Sequence, residues 1–493
     1  MVGQIKLLLT GIIGYVLISC QSDDKRPNIL FIMSDDHAVN AIGCYGKRLS
    51  NVAHTPNIDQ LSSQGMLFKN CFATNSICSP SRATILTGKY SHKNGVYCLN
   101  QNFPDQPTSA SILQSAGYQT AIFGKWHLKS TPTGFDEYKV LREQGRYQNP
   151  EFVEKNKSEM TEYEGWSEDI ISDMTIDFLK NREKDKPFFV MAQYKGAHDP
   201  WASRPPFDTL YQNMEIPEPD NLCDQYIHRT EASKRTTLKL DMLDWKTFHH
   251  EKLDTEDTCL QRKHVYQQYI KAYLRSAAVM DANVGKLLKL LKQEGLDKNT
   301  IVIYTSDQGH FLGEHGFFSK RFMYDESMQM PLIIRYPGYI NPGSENEELI
   351  ANVDVAPTIV DLAGVNIPED MQGQSIKGFL LGNPPENWRE AIYYRYWQHL
   401  LHRDVAAHYG IRTKDYKLIY YYGLSLGQTE YSPTPPEWEL FDLKKDPNEM
   451  VNVYKDQTYK QTVSDLKQIL DSLKIHYDDE DSQYPQLKAL IDI

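Results

Sequence analysis

Cys78-Ser79-Pro80-Ser81-Arg82-Ala83-Thr84-Ile85-Leu86-Thr87-Gly88 reads as the start, body and end of one short helix. Ser79 is expected to cap it, Pro80 suits the first helical position, and Gly88 can take the left-handed conformation that ends a helix. A cysteine at that mouth meets unpaired backbone N–H groups and the positive end of the helix dipole, which together favour an anion. Taken singly, it reads either as a reactive group beside an anion site or as a buried free thiol.

Working outward, two strands are expected to bring acids to the same place. Pro27 to Met33 is a nearly continuous apolar run, the pattern of a strand buried on both faces of a parallel sheet, and it ends in Ser34-Asp35-Asp36-His37. Far along the chain, Thr300 to Thr305 runs into Ser306-Asp307-Gln308-Gly309-His310 in the same way. Parallel strands gather their C-terminal ends on one sheet edge, so these two loops can meet. Carboxylates on such loops are what a hard divalent cation such as calcium needs. An Asp-Asp pair after a strand is also common as a turn or helix cap.

Two further strand ends carry cations and histidines. Ala121 to Gly124 leads into Lys125-Trp126-His127, where alternation places Lys125 and His127 on one side of an extended backbone. Phe188 to Ala192 leads to His198-Asp199-Pro200. A histidine just past a strand end, fixed by a nearby proline, suits proton transfer to a leaving group, although a loop histidine can equally bond backbone.

Cys-x-Pro-Ser-Arg followed by Leu-Thr-Gly resembles the maturation signature of the type I sulfatases of the alkaline phosphatase superfamily. The resemblance runs from about residue 27 to about residue 475. Asp-Asp-His, Ser-Asp-Gln-Gly-His and Lys320-Arg321-Phe322-Met323-Tyr324 are most similar to bacterial polysaccharide sulfatases of the N-acetylglucosamine-6-sulfatase-like kind. It implies that a maturation enzyme oxidises Cys78 to formylglycine, whose hydrated aldehyde is the nucleophile. Asp35, Asp36, Asp307, Gln308 and the modified Cys78 would bind calcium, with Gln308 standing where asparagine is frequent. Arg82 would hold the nucleophile, Lys125 and Lys320 the sulfate, and His198 would protonate the leaving alcohol. His127 would act as the base that expels sulfate and restores the aldehyde. Arg321 is expected either at the site or paired with Asp325. The implied substrate is a sulfated carbohydrate. The rivals are a phosphomonoester or phosphonate hydrolase of the same fold and a non-catalytic surface glycan-binding lipoprotein.

Among its 493 residues, 40% are hydrophobic and 24% charged, as in an ordinary globular protein. The formal charge of −12 argues against nucleic acid, because phosphate binding wants clustered Lys and Arg. A polyanionic substrate therefore requires positive charge concentrated in the site. Lys6 followed by the apolar run Leu7 to Ile18 reads as an export signal too short to span a membrane with certainty. Leu17-Ile18-Ser19-Cys20 resembles a bacterial lipobox, giving a signal peptide over 1–19, a lipid anchor on Cys20 and a tether over 20–26. Gln21-Ser22-Asp23-Asp24 resembles the surface-export signals of some Gram-negative lipoproteins. The implied location is the periplasm or the outer-membrane surface. Of the remaining cysteines, Cys223 and Cys259 could pair, which sequence alone leaves open.

The expected fold is α/β: a large, mixed, mostly parallel sheet sandwiched by helices, alkaline-phosphatase-like by resemblance, with a smaller C-terminal α+β subdomain. The catalytic domain is placed at 27–382. A polar insertion at 202–263 covers the site, and a helix follows from Tyr266 toward Gly295 with an aromatic face read as core. Gly382-Asn383-Pro384-Pro385 marks a boundary. Over 383–493, runs of strands and then a helix at Thr462 to Lys474 predict antiparallel strands closed by a terminal helix. His399, His402, Arg403, Asp404 and His408 cluster near its start. His402 and His408 are the candidates for contact with the sugar, and a plain surface role fits them equally.

Overall fold

The computed structural model describes residues 26–244 and 251–491. The expected signal peptide and the lipid anchor on Cys20 lie outside the described residues. No helix of the described residues is long and apolar enough to cross a membrane.

Asn28–Ser34 is a strand with every residue buried. It lies inside a ten-stranded sheet, hydrogen-bonded in parallel to Phe188–Gln193 on one side and Thr300–Ser306 on the other. Gln119–Gly124 and Glu137–Leu141 extend the parallel part. Leu332–Arg335 beyond Thr300–Ser306, and Glu151–Glu154 beyond Glu137–Leu141, turn the flanks antiparallel. Alternation along the central strand serves two cores. Ile29, Phe31 and Met33 pack with Ala83, Leu113 and Ile359 from helices Cys78–Thr87, Ser109–Ser115 and Val355–Leu362. Leu30 and Ile32 face Ile171, Phe178, Val284 and Leu287 from helices Ser167–Asn181 and Thr258–Gln293.

Pairing register fixes the site edge. Ser34 is opposite Ser306, Met33 opposite Gln193, and Gln193 opposite Gly124. The residues that follow these strands, Asp35, Asp307, Tyr194 and Lys125, therefore leave the sheet side by side.

The C-terminal sheet runs in sequence order through Ala391–Tyr396, His408–Thr413, Tyr416–Tyr421 and Glu437–Asp442, all antiparallel. Helix Lys460–His476 packs Leu466 and Leu470 into the same cluster as Ile392 and Leu418. That cluster also contains Phe322, Met323 and Tyr324, so the segment after Lys320 is anchored in the C-terminal sheet.

Two local expectations are revised and one open question is settled. The signature helix begins at Cys78 itself, with Ile77 at the cap position and no side-chain cap. Ser79 instead lies inside the helix and donates its hydroxyl to the carbonyl of His127 at 2.8 Å. Gly88 ends the helix at φ 66° as expected. The long helix starts at Thr258, inside the expected insertion, because the Asp257 carboxylate accepts from the amides of Cys259 and Leu260 at 2.9 and 3.1 Å. Cys223 and Cys259 do pair, with Cα atoms 5.1 Å apart, which ties the insertion to the start of that helix.

Gly124 closes its strand at φ 102°, and a Cβ there would lie 1.9 Å from the carbonyl oxygen of Gln193. The same oxygen accepts from the Lys125 amide at 2.8 Å. A Gly124→Ala substitution is expected to cost about 1–3 kcal/mol and to displace Lys125. A lowered denaturation midpoint together with reduced turnover would bear this out, and an unchanged midpoint would refute it.

Candidate active site

The two acidic loops meet at the sheet edge. One ligand atom from each of Asp35, Asp36 and Asp307 falls within 4.8 Å of the others, and all three residues are fully buried. The Asp36 amide donates to Asp307 Oδ1 at 3.2 Å, and Tyr273 on the long helix donates its hydroxyl to the Asp36 carbonyl at 2.6 Å. Tyr273 thus belongs to the expected core face and also holds the first acidic loop. Asp36 itself sits at φ 64°, which turns its side chain back over the site.

Three cations surround these carboxylates. Arg82, one helical turn after Cys78, pairs with Asp307 through Nε at 3.0 Å and approaches Asp35 at 3.7 Å. Its Nη1 donates to the Lys125 carbonyl at 2.8 Å and to Gln193 Oε1 at 2.7 Å. Lys125 pairs with Asp35, and Lys320 contacts both oxygens of Asp36 at 2.5 Å. Burial works against ionisation of Asp35, but Lys125 and His198 hold its carboxyl well below the usual range. Asp36 is likewise held down, chiefly by Lys320 against burial. Burial and the neighbouring Asp35 instead push Asp307 up to about 7.

Cys78 is 1% exposed, and its Sγ lies 3.6 Å from Asp35 Oδ1. Together Asp35, Cys78 and His198 form a second close group of ligand-type atoms. The Gln308 amide nitrogen donates to Asp36 and Asp307, while its buried Oε1 has no partner. The assignment of amide O and N is interchangeable, and a cation among the carboxylates would draw the oxygen to that side. The donors, all hard oxygens but one, fit a cation of the calcium type.

The two histidines are in opposite states. His198 faces the Asp199 carbonyl with Nδ1 at 2.8 Å; a carbonyl only accepts, so Nδ1 carries the proton and Nε2 points toward Asp36, 3.8 Å away. Burial disfavours its charge, yet Asp199 and Asp35 raise it to about 9. His127, at φ 53° just past Lys125, is held well below its ordinary value by burial and by Lys125, and its Nδ1 has no partner. A protonated and a neutral imidazole beside one nucleophile match an acid and a base.

Of the residues read from the sequence, Asp35, Asp36, Cys78, Arg82, Lys125, His127, His198, Asp307, Gln308 and Lys320 come together here. His408 does not. It is fully buried, its Nδ1 donates to the Ala406 carbonyl at 2.7 Å, and its ring lies among Phe322, Tyr394, Tyr396 and Tyr421. Its place at the start of a core strand removes it from any sugar. His402 is half-buried on a loop within the field of Arg321 and Arg403. Arg321 does not pair with Asp325, whose carboxylate is taken by Arg412 and Lys417.

Several residues were missed. Gln193 orients Arg82 and is the last residue of its strand, a position that the strand-end rule would have marked. His310 accepts the Ser319 amide at Nε2 and presents Nδ1 to Asp36 at 3.4 Å. Gln144 contacts Lys125 Nζ at 2.5 Å. Lys195, fully buried beside His198, donates to the Asp199 carbonyl at 3.1 Å, and burial with Lys125 pushes it down to about 8.

Comparison with known proteins adds to this geometry. Residues 27–365 match the family model described as Sulfatase, and residues 313–476 match one described as N-sulphoglucosamine sulphohydrolase, C-terminal. An N-acetylglucosamine-6-O-sulfatase of Bacteroides thetaiotaomicron is 40% identical, with 96% of this chain and 91% of the relative covered. A structure solved in complex with its substrate D-glucosamine-2-N,6-O-disulfate superposes with a TM-score of 0.86 at 40% identity, over 93% of this chain and 99% of the other. A phosphonate monoester hydrolase from Silicibacter pomeroyi shares the fold, with a TM-score of 0.73 at 22% identity over 92% and 96% of the two chains. With the whole sheet edge in place and the family model spanning most of its length, the chain belongs to the sulfatase family of sulfuric ester hydrolases.

Proposed function

We propose that the protein removes the 6-O-sulfate from a glucosamine-type sugar of a sulfated glycan, using formylglycine at position 78 and calcium held by Asp35, Asp36, Asp307 and Gln308. The observation that carries the chemistry is a protonated His198 and a neutral His127 at the same sheet edge as Cys78, within a ring of three cations. The sugar is supported by the relative that shares 40% identity and is named for N-acetylglucosamine 6-O-sulfate.

Formylglycine supplies a hydrated aldehyde as the nucleophile, and calcium supplies a fixed positive charge for the nucleophile and the sulfuryl oxygens. The chain's own residues do the rest. Arg82 holds the nucleophile from one side, oriented by Gln193 and the Lys125 carbonyl. Lys125 and Lys320 bind sulfate oxygens as charge moves onto them, at sites kept dry by burial. His198, protonated and fixed by the Asp199 carbonyl, gives its Nε2 proton to the bridging oxygen. His127, neutral and with Nδ1 free, takes the proton that releases sulfate.

We further propose an exported lipoprotein anchored through Cys20, in the periplasm or at the outer-membrane surface. The Cys223–Cys259 pair supports an oxidising compartment. A maturation enzyme acting on Cys78 is the implied partner.

Mass spectrometry of the peptide containing position 78, from protein made beside a maturing enzyme, is expected to find the aldehyde. Unmodified cysteine alone would reject the proposed nucleophile, and Cys78→Ala is expected to abolish turnover of sugar sulfates. Aryl sulfate should be cleaved faster than aryl phosphate, and the reverse order would favour the phosphoester rival.

His198→Gln should lower turnover of a sugar 6-O-sulfate about 10²–10⁴-fold. The same variant should lose far less on an aryl sulfate whose leaving group needs no proton. Equal losses on both would refute the acid assignment.

Calcium added to metal-stripped protein should raise its thermal midpoint by relieving repulsion among the three carboxylates. Asp307→Asn should remove that response without lowering the metal-free midpoint. A calcium response that survives in this variant would place the metal elsewhere.

A further inference from the structure

Two groups of ligand-type side chains meet at the sheet edge, and the calcium site proposed above draws on the acidic one. That trio offers oxygen alone. Asp35, Cys78 and His198 offer one oxygen, one sulfur and one nitrogen, and these three atoms also lie within 4.8 Å of one another. They arrive from separate segments: Asp35 follows strand Asn28–Ser34, Cys78 opens helix Cys78–Thr87, and His198 lies beyond strand Phe188–Gln193. All three are buried, at 0%, 1% and 7% exposure.

The spacing and the outer contacts suit a tetrahedral ion. A zinc ion bonded to sulfur at about 2.3 Å and to oxygen at about 2.1 Å sets those two atoms about 3.6 Å apart. Cys78 Sγ and Asp35 Oδ1 stand 3.6 Å apart. Two of the ligands are fixed from behind. His198 Nδ1 donates to the Asp199 carbonyl at 2.8 Å, which leaves Nε2 for a metal, and Lys125 holds the other oxygen of Asp35. A histidine tied through its second nitrogen in this way is how most metal-binding histidines are oriented. Tyr147 steadies the same loop, its hydroxyl donating to the His198 carbonyl at 2.6 Å.

The mixed donors also select the ion. Calcium takes oxygens, whereas sulfur with imidazole nitrogen selects zinc and its softer neighbours. Three protein ligands leave the fourth position to water. Binding expels the Cys78 thiol proton and the His198 Nε2 proton as one dication enters, so the net charge beside Arg82 and Lys125 is unchanged.

We propose that the chain, while residue 78 is still cysteine, holds a zinc-type thiophilic divalent cation between Asp35 Oδ1, Cys78 Sγ and His198 Nε2. Because Asp35 belongs to both groups, this ion and calcium exclude each other. Resting on the formylglycine reading, oxidation of Cys78 removes the sulfur and with it the zinc site, so the state of residue 78 decides which metal the pocket takes. The zinc form is inactive, since the ion occupies both the position of the nucleophile and the nitrogen of the acid.

The test uses the full chain made without a maturing enzyme, stripped of metal and titrated with cobalt(II), whose bond to a thiolate gives an intense near-ultraviolet charge-transfer band. One equivalent of cobalt is expected to produce that band, and added zinc to abolish it. Cys78→Ser should lose the band, a decisive control because Cys44, Cys71 and Cys98 are also free thiols. His198→Gln should weaken cobalt binding about tenfold or more, and it carries the test if Cys78→Ser does not fold. Asp307→Asn, which alters the acidic trio alone, should keep the band. No band in the unmatured chain, a band that survives Cys78→Ser, affinity unmoved by His198→Gln, or loss of the band in Asp307→Asn would each overturn the site. Matured protein should give no band, and a band from protein shown to carry the aldehyde would overturn the exchange of metals. If mass spectrometry finds only cysteine at position 78 after co-production with a maturing enzyme, the formylglycine reading fails, and the unmatured chain still judges the zinc site.

Discussion

Asp35, Asp36 and Asp307 are buried side by side at the ends of two hydrogen-bonded parallel strands, and the surrounding structure is arranged to tolerate them. Like charges this close, out of water, repel strongly. Arg82, Lys125 and Lys320 answer that repulsion from three separate segments of the chain. Each of those cations is itself buried, and with His198 they hold Asp35 and Asp36 in the ionised state, whereas burial and Asp35 push Asp307 up to about 7. Removal of any one of these cations would leave an uncompensated buried carboxylate, which costs more than the pair contributes.

The acidic whole and the cationic mouth are two scales of the same design. A net charge of −12 would repel a polyanion at long range, although salt screens that field beyond about 8 Å. Close to the sheet edge the balance inverts, where Lys195 and Arg321 add to the three cations of the catalytic set. Specific anions are admitted by local fields, and the surface as a whole keeps a sign that disfavours indiscriminate binding.

Much of the site was legible because parallel sheets impose simple rules. The apolar runs at Asn28–Ser34 and Thr300–Ser306 have no polar face to confuse their reading, and whatever follows them must emerge together. The C-terminal strands were legible through Tyr- and Ile-rich segments separated by turn residues. Cap chemistry was less so: Ser79 carries a capping side chain, but the His127 carbonyl lies within its reach and wins. His310 and Tyr273 were invisible as functional residues because their roles depend on tertiary hydrogen bonds, whereas Gln193 was marked only by its place at the end of a strand. His408 was misplaced for a related reason. It lies near His402 in sequence, yet a strand begins at His408 and directs the ring inward, whereas His402 stays in the loop.

The burial of Cys78 has a consequence for timing. At 1% exposure, behind Asp35 and Arg82 and inside the first turn of a helix packed on the sheet, its sulfur is closed to any macromolecule once the chain has folded. On the proposed formylglycine reading, an enzyme that oxidises Cys78 would have to reach it while this stretch is still extended. On that reading chemical commitment would precede structural commitment, and the finished fold would be a lock set around a residue already converted.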